Sequence, residues 1–225
     1  MDKWLIDESV PIEKTSLDES LRGKVVMRGR QPALAVRIND LVVHDIKKWF
    51  GSADIRLDTL ILHGAKEGES SGYYHPSTFR FSDIKDNDRL SIEHPGQRVF
   101  YGHPLHFLDV SIFVSRDTKD SDEFASLINS ELNSDAWQGA ASAVLAATAA
   151  APQAAVIVGA VGAAATLANV AYKLLKNITG NTIGLYRTSW LQYRDRFGIG
   201  RHPDKDSFRQ QDFSFWYEVV LDKKN

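Results

Sequence analysis

The stretch AAAPQAAVIVGAVGAAATLANVAY, Ala149 to Tyr172, decides how the whole chain is read. It sits in a run of 37 residues, between Asp135 and Lys173, that carries no charge. A membrane span needs about 20 apolar residues, so length alone admits one. Composition argues the other way. Of the 37 residues 17 are Ala, and Leu, Ile and Phe are few, so the drive into lipid is weak. Pro152 would remove a hydrogen bond from a helix interior, so it divides the run in two. The expected pieces are helices over Asp135–Ala151 and Gln153–Lys176, preceded by a shorter one over Ser121–Leu132. On the last arm Val156, Ala160, Ala163, Leu167, Val170 and Leu174 share one face at 3.6 residues per turn. Gly159, Gly162, Thr166 and Asn169 form a stripe of small residues opposite.

Three readings of this Ala-rich hairpin compete. In the first it packs its Val/Ile/Leu face on the rest of the domain. In the second it inserts into a bilayer as a membrane-permeabilising effector, with the glycine stripe as helix–helix seam. In the third it is a homo-oligomer or partner interface. Val156, Val161 and Leu167 are the contact residues of the last two readings. A constitutive span fits least well, because strands flank the block closely on both sides.

On either side the texture is β. Ala33–Ile46 has room for one strand, and Ala53–Gly64 alternates at Ile55, Leu57, Thr59 and Ile61. TFRFSDI, RLSIEH and LHFLDVSIFVS follow as short strands separated by polar turns. After the helical block come Thr182–Tyr193 and Asp212–Asp222. The latter places Phe213, Phe215, Tyr217 and Val219 on one face. The expected organisation is an N-terminal arm or edge strand (1–31), a β-sandwich (32–120 and 181–225) and an inserted helical segment (121–180). The fold class is mainly β with a helical insert.

HDIKKWFGSADIRLDTLIL, residues 44–62, resembles the start of a C2 domain. Asp45 would be the Asp of the first loop, and Gly51-Ser52-Ala53-Asp54-Ile55 the turn that follows. The spacing is three residues wider than the family pattern, and the turn's Pro and Tyr are missing. VSIFVSRDTKDSDEF, residues 110–124, looks like the family's third-loop signature, with Ser115, Asp117 and Glu123 at its three acidic positions. The resemblance implies an antiparallel sandwich that docks on phospholipid. It also implies a Ca²⁺ site formed by Asp45, Asp54, Asp117 and Glu123. Ca²⁺ takes six to eight oxygen ligands, and the serine in place of a carboxylate lowers its expected affinity. The alternative is that these acids are ordinary solvated loop residues.

Arg187, Arg194, Arg196 and Arg201 follow the hairpin among aromatic residues. Arginine suits bidentate contact with an anionic headgroup, or these residues pair with nearby Asp195, Asp204 and Asp206. The net charge of −2 exerts no pull toward nucleic acid, so no nucleic-acid partner is expected. The absence of cysteine removes disulfides and thiolate chemistry. The acidic, mixed N-terminus is not a secretory signal, so the expected location is cytoplasmic, peripheral to a membrane. No nucleophile elbow, P-loop or zinc-protease motif is present, so the expected role is non-catalytic. That role is docking to a phospholipid membrane or a protein partner, with Ca²⁺ as its candidate modulator.

Overall fold

The structure, a computed structural model, describes residues 33–64, 73–118, 121–146, 154–179, 182–210 and 212–221. The expected N-terminal arm and the Pro152 break lie outside the described residues. In chain order the elements are β1 (Leu34–Val43), β2 (Ala53–Gly64), β3 (Tyr74–Ile84), β4 (Asp88–Arg89), β5 (Gln97–Gly102) and β6 (Leu105–Arg116). Helices α1 (Phe124–Glu131), α2 (Asp135–Ala146) and α3 (Ala154–Thr179) follow. The chain closes with β7 (Thr182–Leu191), a single helical turn α4 (Gln192–Asp195), β8 (Gly200–His202), β9 (Phe208–Arg209) and β10 (Phe213–Leu221).

Two antiparallel sheets face one another. One has the order β4-β1-β10-β8, with β5 also paired to β1 and β9 to β10. The other runs β3-β2-β6-β7. The core between them follows from strict alternation. β10 sends in Phe213, Phe215, Tyr217 and Val219, as its pattern predicts, and β2 sends in Ile55, Leu57 and Ile61. β6 answers with Leu108, Val110, Ile112 and Val114.

Alternation leads one to expect a solvated outer face on the second sheet. Instead β2 and β6 are buried on both faces, because the helices form a third layer over it. Leu60, Leu62, Phe107, Phe113 and Leu191 leave the outer face and meet Phe124, Trp137, Ile157 and Leu167 of the helices. α3 is long and apolar enough to cross a membrane by length and composition. Here it buries Ile157, Ala160, Ala164, Leu167, Ala168, Ala171 and Leu175. This face is turned from the expected one toward its flank: Val156 and Val161 are half-buried, and Leu167 is fully buried. Leu167 is therefore a core residue and not a contact surface, because it lies against the sheet. The stripe of Gly159, Gly162, Thr166 and Asn169 faces solvent.

Two charged pairs lie in the seam between sheet and helices. Arg56 and Asp58, two apart on β2 and hence on one face, are both fully buried. Arg56 Nε and Nη2 donate to Asp58 at 2.5 and 3.0 Å, and Nη1 donates to the Asp122 carbonyl at 2.7 Å. The Thr78 hydroxyl donates to Asp58 and accepts from the Phe124 amide, which ties the start of α1 to the sheet. In the second pair Arg187 on β7 donates to the fully buried Asp109 on β6 and, at 3.0 Å, to the Val161 carbonyl of α3. Ser189 and Ser111 complete the shell around Asp109. Burial pushes the Asp109 carboxyl up from its ordinary range, and Arg187 and Ser189 oppose that.

Candidate functional site

Strand register brings four segments to one end of the sandwich. Val43 at the end of β1 pairs with Phe213 and with Asp88, so segments 44–52, 85–87 and 210–212 leave together. Ala53 pairs with Ile84, and Ile55 with Arg116, which adds segment 117–123.

The first of these, the β1–β2 loop, is pinned at its base. Ile46 is buried in the core, and its amide donates to Asp86 at 2.9 Å. The His44 and Asp45 amides both donate to the Asp212 carbonyl, and Arg116 Nη1 donates to the Lys47 carbonyl. The Asp45 carboxylate accepts from the Lys47 amide at 2.7 Å, and that bond holds its pKa below the usual range. Lys47 adopts φ 56°, which a non-glycine residue seldom does. Its ammonium reaches Asp212 at 2.7 Å and Asp45 at 3.3 Å, and these contacts hold it there. Gly51, at φ 87°, then turns the chain back toward β2.

Between these fixed points stand Trp49 and Phe50, 95% and 79% exposed. They are the two most exposed large hydrophobic residues of the described chain. Lone exposed apolar residues are ordinary, but an adjacent Trp–Phe pair at the tip of a braced loop is a patch of the kind that marks a contact site. The C2-like resemblance of this stretch rests on Asp45 and Asp54 and gives Trp49 and Phe50 no role. The available signal was two aromatics between a Lys pair and a Gly, with no alternation that would bury either.

The proposed cation ligands are distributed as follows. Asp45 is engaged by Lys47. Asp54 accepts from the Asp83 amide at 3.2 Å, and its carbonyl accepts from the Asp117 amide. Asp117 and Glu123 do come together, with the Arg80 guanidinium between them. Arg80 Nε donates to Asp117 at 2.9 Å, Nη1 to Glu123, and Nη2 to the Ser121 carbonyl at 2.8 Å. Glu123 and Asp117 hold that guanidinium still more firmly protonated. Among the described residues, no group of three His, Asp or Glu is placed to hold a metal ion.

Three of the four arginines have separate partners. Arg187 is committed to Asp109, and Arg194 to its neighbour Asp195 at 2.8 Å. Arg201 donates to the Pro203 and Asp206 carbonyls and stacks over Trp216 at 4.5 Å. Arg196 occupies a left-handed turn at φ 51°. A shallow depression elsewhere is lined by Asn39, His94, Trp216 and Glu218, and there the Asn39 amide already donates to Glu218 and to the Pro95 carbonyl.

No protein-family model matches the chain, and no curated protein shows significant similarity to it.

Proposed function

We propose that this protein is a non-catalytic membrane-docking module whose β1–β2 loop seats Trp49 and Phe50 in the interfacial region of a bilayer. The observation that carries the reading is the near-complete exposure of both rings on a loop braced from below. Tryptophan favours the membrane–water interface, where its ring is buried and its N–H stays wet. Full burial of a large apolar side chain contributes about 1.5–3 kcal/mol. The pair therefore supports about 3–6 kcal/mol, close to the ~4 kcal/mol of a millimolar dissociation constant. Docking of this strength is weak and reversible. A braced loop needs no further ordering on contact, so little of that energy is lost.

We treat the hairpin as a structural layer in this reading. Lifting it into lipid would break the bond from Arg187 to the Val161 carbonyl and strip the cover from Leu60, Leu62, Phe107 and Phe113 on the outer face of the second sheet, a large loss of apolar burial.

The test is co-sedimentation with phospholipid vesicles, together with Trp fluorescence. The wild-type protein is expected to pellet with vesicles and to shift its emission to the blue. The double variant Trp49→Ala/Phe50→Ala is expected to stay in the supernatant with unchanged thermal stability, since neither ring packs on the fold. Equal pelleting of both proteins would sink the reading.

A further inference from the structure

We infer that the lipid this loop takes is a zwitterionic, choline-bearing phospholipid and not an anionic one; this rests on the docking reading above. The ground is the charge around the two rings. Around the β3–β4 turn Asp83, Asp86 and Asp88 outnumber the cations Lys85 and Arg89, and Arg89 is paired with Asp40. In the segment after β6, Asp117, Asp122 and Glu123 face Arg116 and the incoming Arg80. Of the cations at this end, Lys47 is held by two carboxylates and Arg80 by two more. The end of the sandwich that carries the aromatic tip is therefore acidic overall.

An anionic bilayer repels such a surface, while a trimethylammonium group is drawn to it twice. Carboxylates attract its charge, and the faces of Trp49 and Phe50 attract it through their quadrupoles. Lys48, exposed next to Trp49, donates to the Ser52 carbonyl at 2.5 Å and keeps further N–H donors for the headgroup's phosphate. Asp117 and Glu123 already share a guanidinium, so docking does not draw on a divalent cation to neutralise them.

The experiment compares phosphatidylcholine vesicles with phosphatidylcholine vesicles containing phosphatidylserine, at low salt in chelator, and repeats both with Ca²⁺. Expected is binding to the pure choline vesicles in chelator, unchanged by Ca²⁺. Binding to the mixed vesicles is expected to be several-fold weaker and to recover as salt screens the repulsion. Asp83→Asn, at a φ of 61° that asparagine tolerates, is expected to narrow the difference without unfolding the protein. Tighter binding to the phosphatidylserine vesicles, or binding only with Ca²⁺, overturns the lipid preference and leaves the docking role standing. No binding to any vesicle overturns both.

Discussion

Beneath the edge of the second sheet, His63 and His75 stack with ring centroids 5.1 Å apart and their Nε2 atoms 2.9 Å apart. Their protonation follows from the partners. His63 Nδ1 lies 2.7 Å from the Gly64 carbonyl, which can only accept, so that nitrogen carries the proton. The Nε2 of a neutral His63 is then an acceptor, and His75 Nε2 donates to it. Charging His63 protonates the accepting Nε2 and breaks this bond, and charging either ring puts a cation in the buried space beside Phe100. Burial, and then the neighbouring His63, lowers the His75 pKa to about 4, and burial lowers that of His63. A folded-state value below the unfolded 6.5 means that the unfolded chain binds more protons between the two. Stability is therefore full above about pH 6.5 and declines as pH falls toward 4. Allowing for the solvent that still reaches His75, the loss is about 2 kcal/mol. Urea unfolding followed from pH 7.5 to 4.5 checks this; His75→Gln is expected to flatten the slope. None of this pairing was legible in the sequence, where His63 and His75 stand apart and only antiparallel register between β2 and β3 makes them neighbours. The Trp49–Phe50 tip, by contrast, was readable in HDIKKWFGSAD as two aromatics with no strand phase to bury them.

At the scale of the element, the strands with a regular alternation and β-branched or aromatic residues were legible: β1, β2, β6, β7 and β10 lie within a few residues of their expected bounds. β5 was not, because its QRVFYG mixes charge and Gly over 6 residues, and β8 and β9, with 3 and 2, are too short to show any period. α1 and α3 lie within a few residues of their expected bounds, with α3 running on to Thr179, and α2 begins at Asp135 as expected, while its expected end at Ala151 lies outside the described residues. Which face of α3 is buried was harder, since Ala, Val and Ile surround most of its circumference and only the glycine stripe marks the outside. A Cβ added at Gly159 or Gly162 meets nothing within 4 Å. Glycine in a helix interior costs about 0.5–1 kcal/mol relative to alanine. Gly159→Ala/Gly162→Ala is thus expected to stabilise the protein by about 1–2 kcal/mol, raising the melting temperature by about 2–8 °C in calorimetry. A lowered melting temperature would mean that this stripe is packed and not solvated.

The whole molecule is three layers, and the seam between the second and third is polar at two places. Arg187 is the clearest link, since one guanidinium satisfies Asp109 in the sheet and a carbonyl of α3. Replacing it with methionine strands a carboxylate with no solvent exposure. Breaking a buried pair on one side costs about 3–5 kcal/mol, whereas replacing both partners is far milder. Arg187→Met is expected to lower the urea midpoint accordingly, and Arg187→Met/Asp109→Asn to recover much of it. Similar midpoints for both variants would show that the pair is not what joins the layers. As a sequence feature Arg187 resembled a surface anion ligand. Its partner is 78 residues away, on the neighbouring strand.

The sequence by itself determined the class of the fold. Period-2 patterning and an uncharged Ala-rich hairpin are local properties, and they point to an antiparallel β domain with a helical insert whatever the chain's surroundings. The tertiary structure alone decided what each charged side chain meets. Ion pairing depends on distances between residues far apart in sequence, so Arg80 between Asp117 and Glu123 and Arg187 on Asp109 emerged only once the strands were in register and the hairpin had folded onto them.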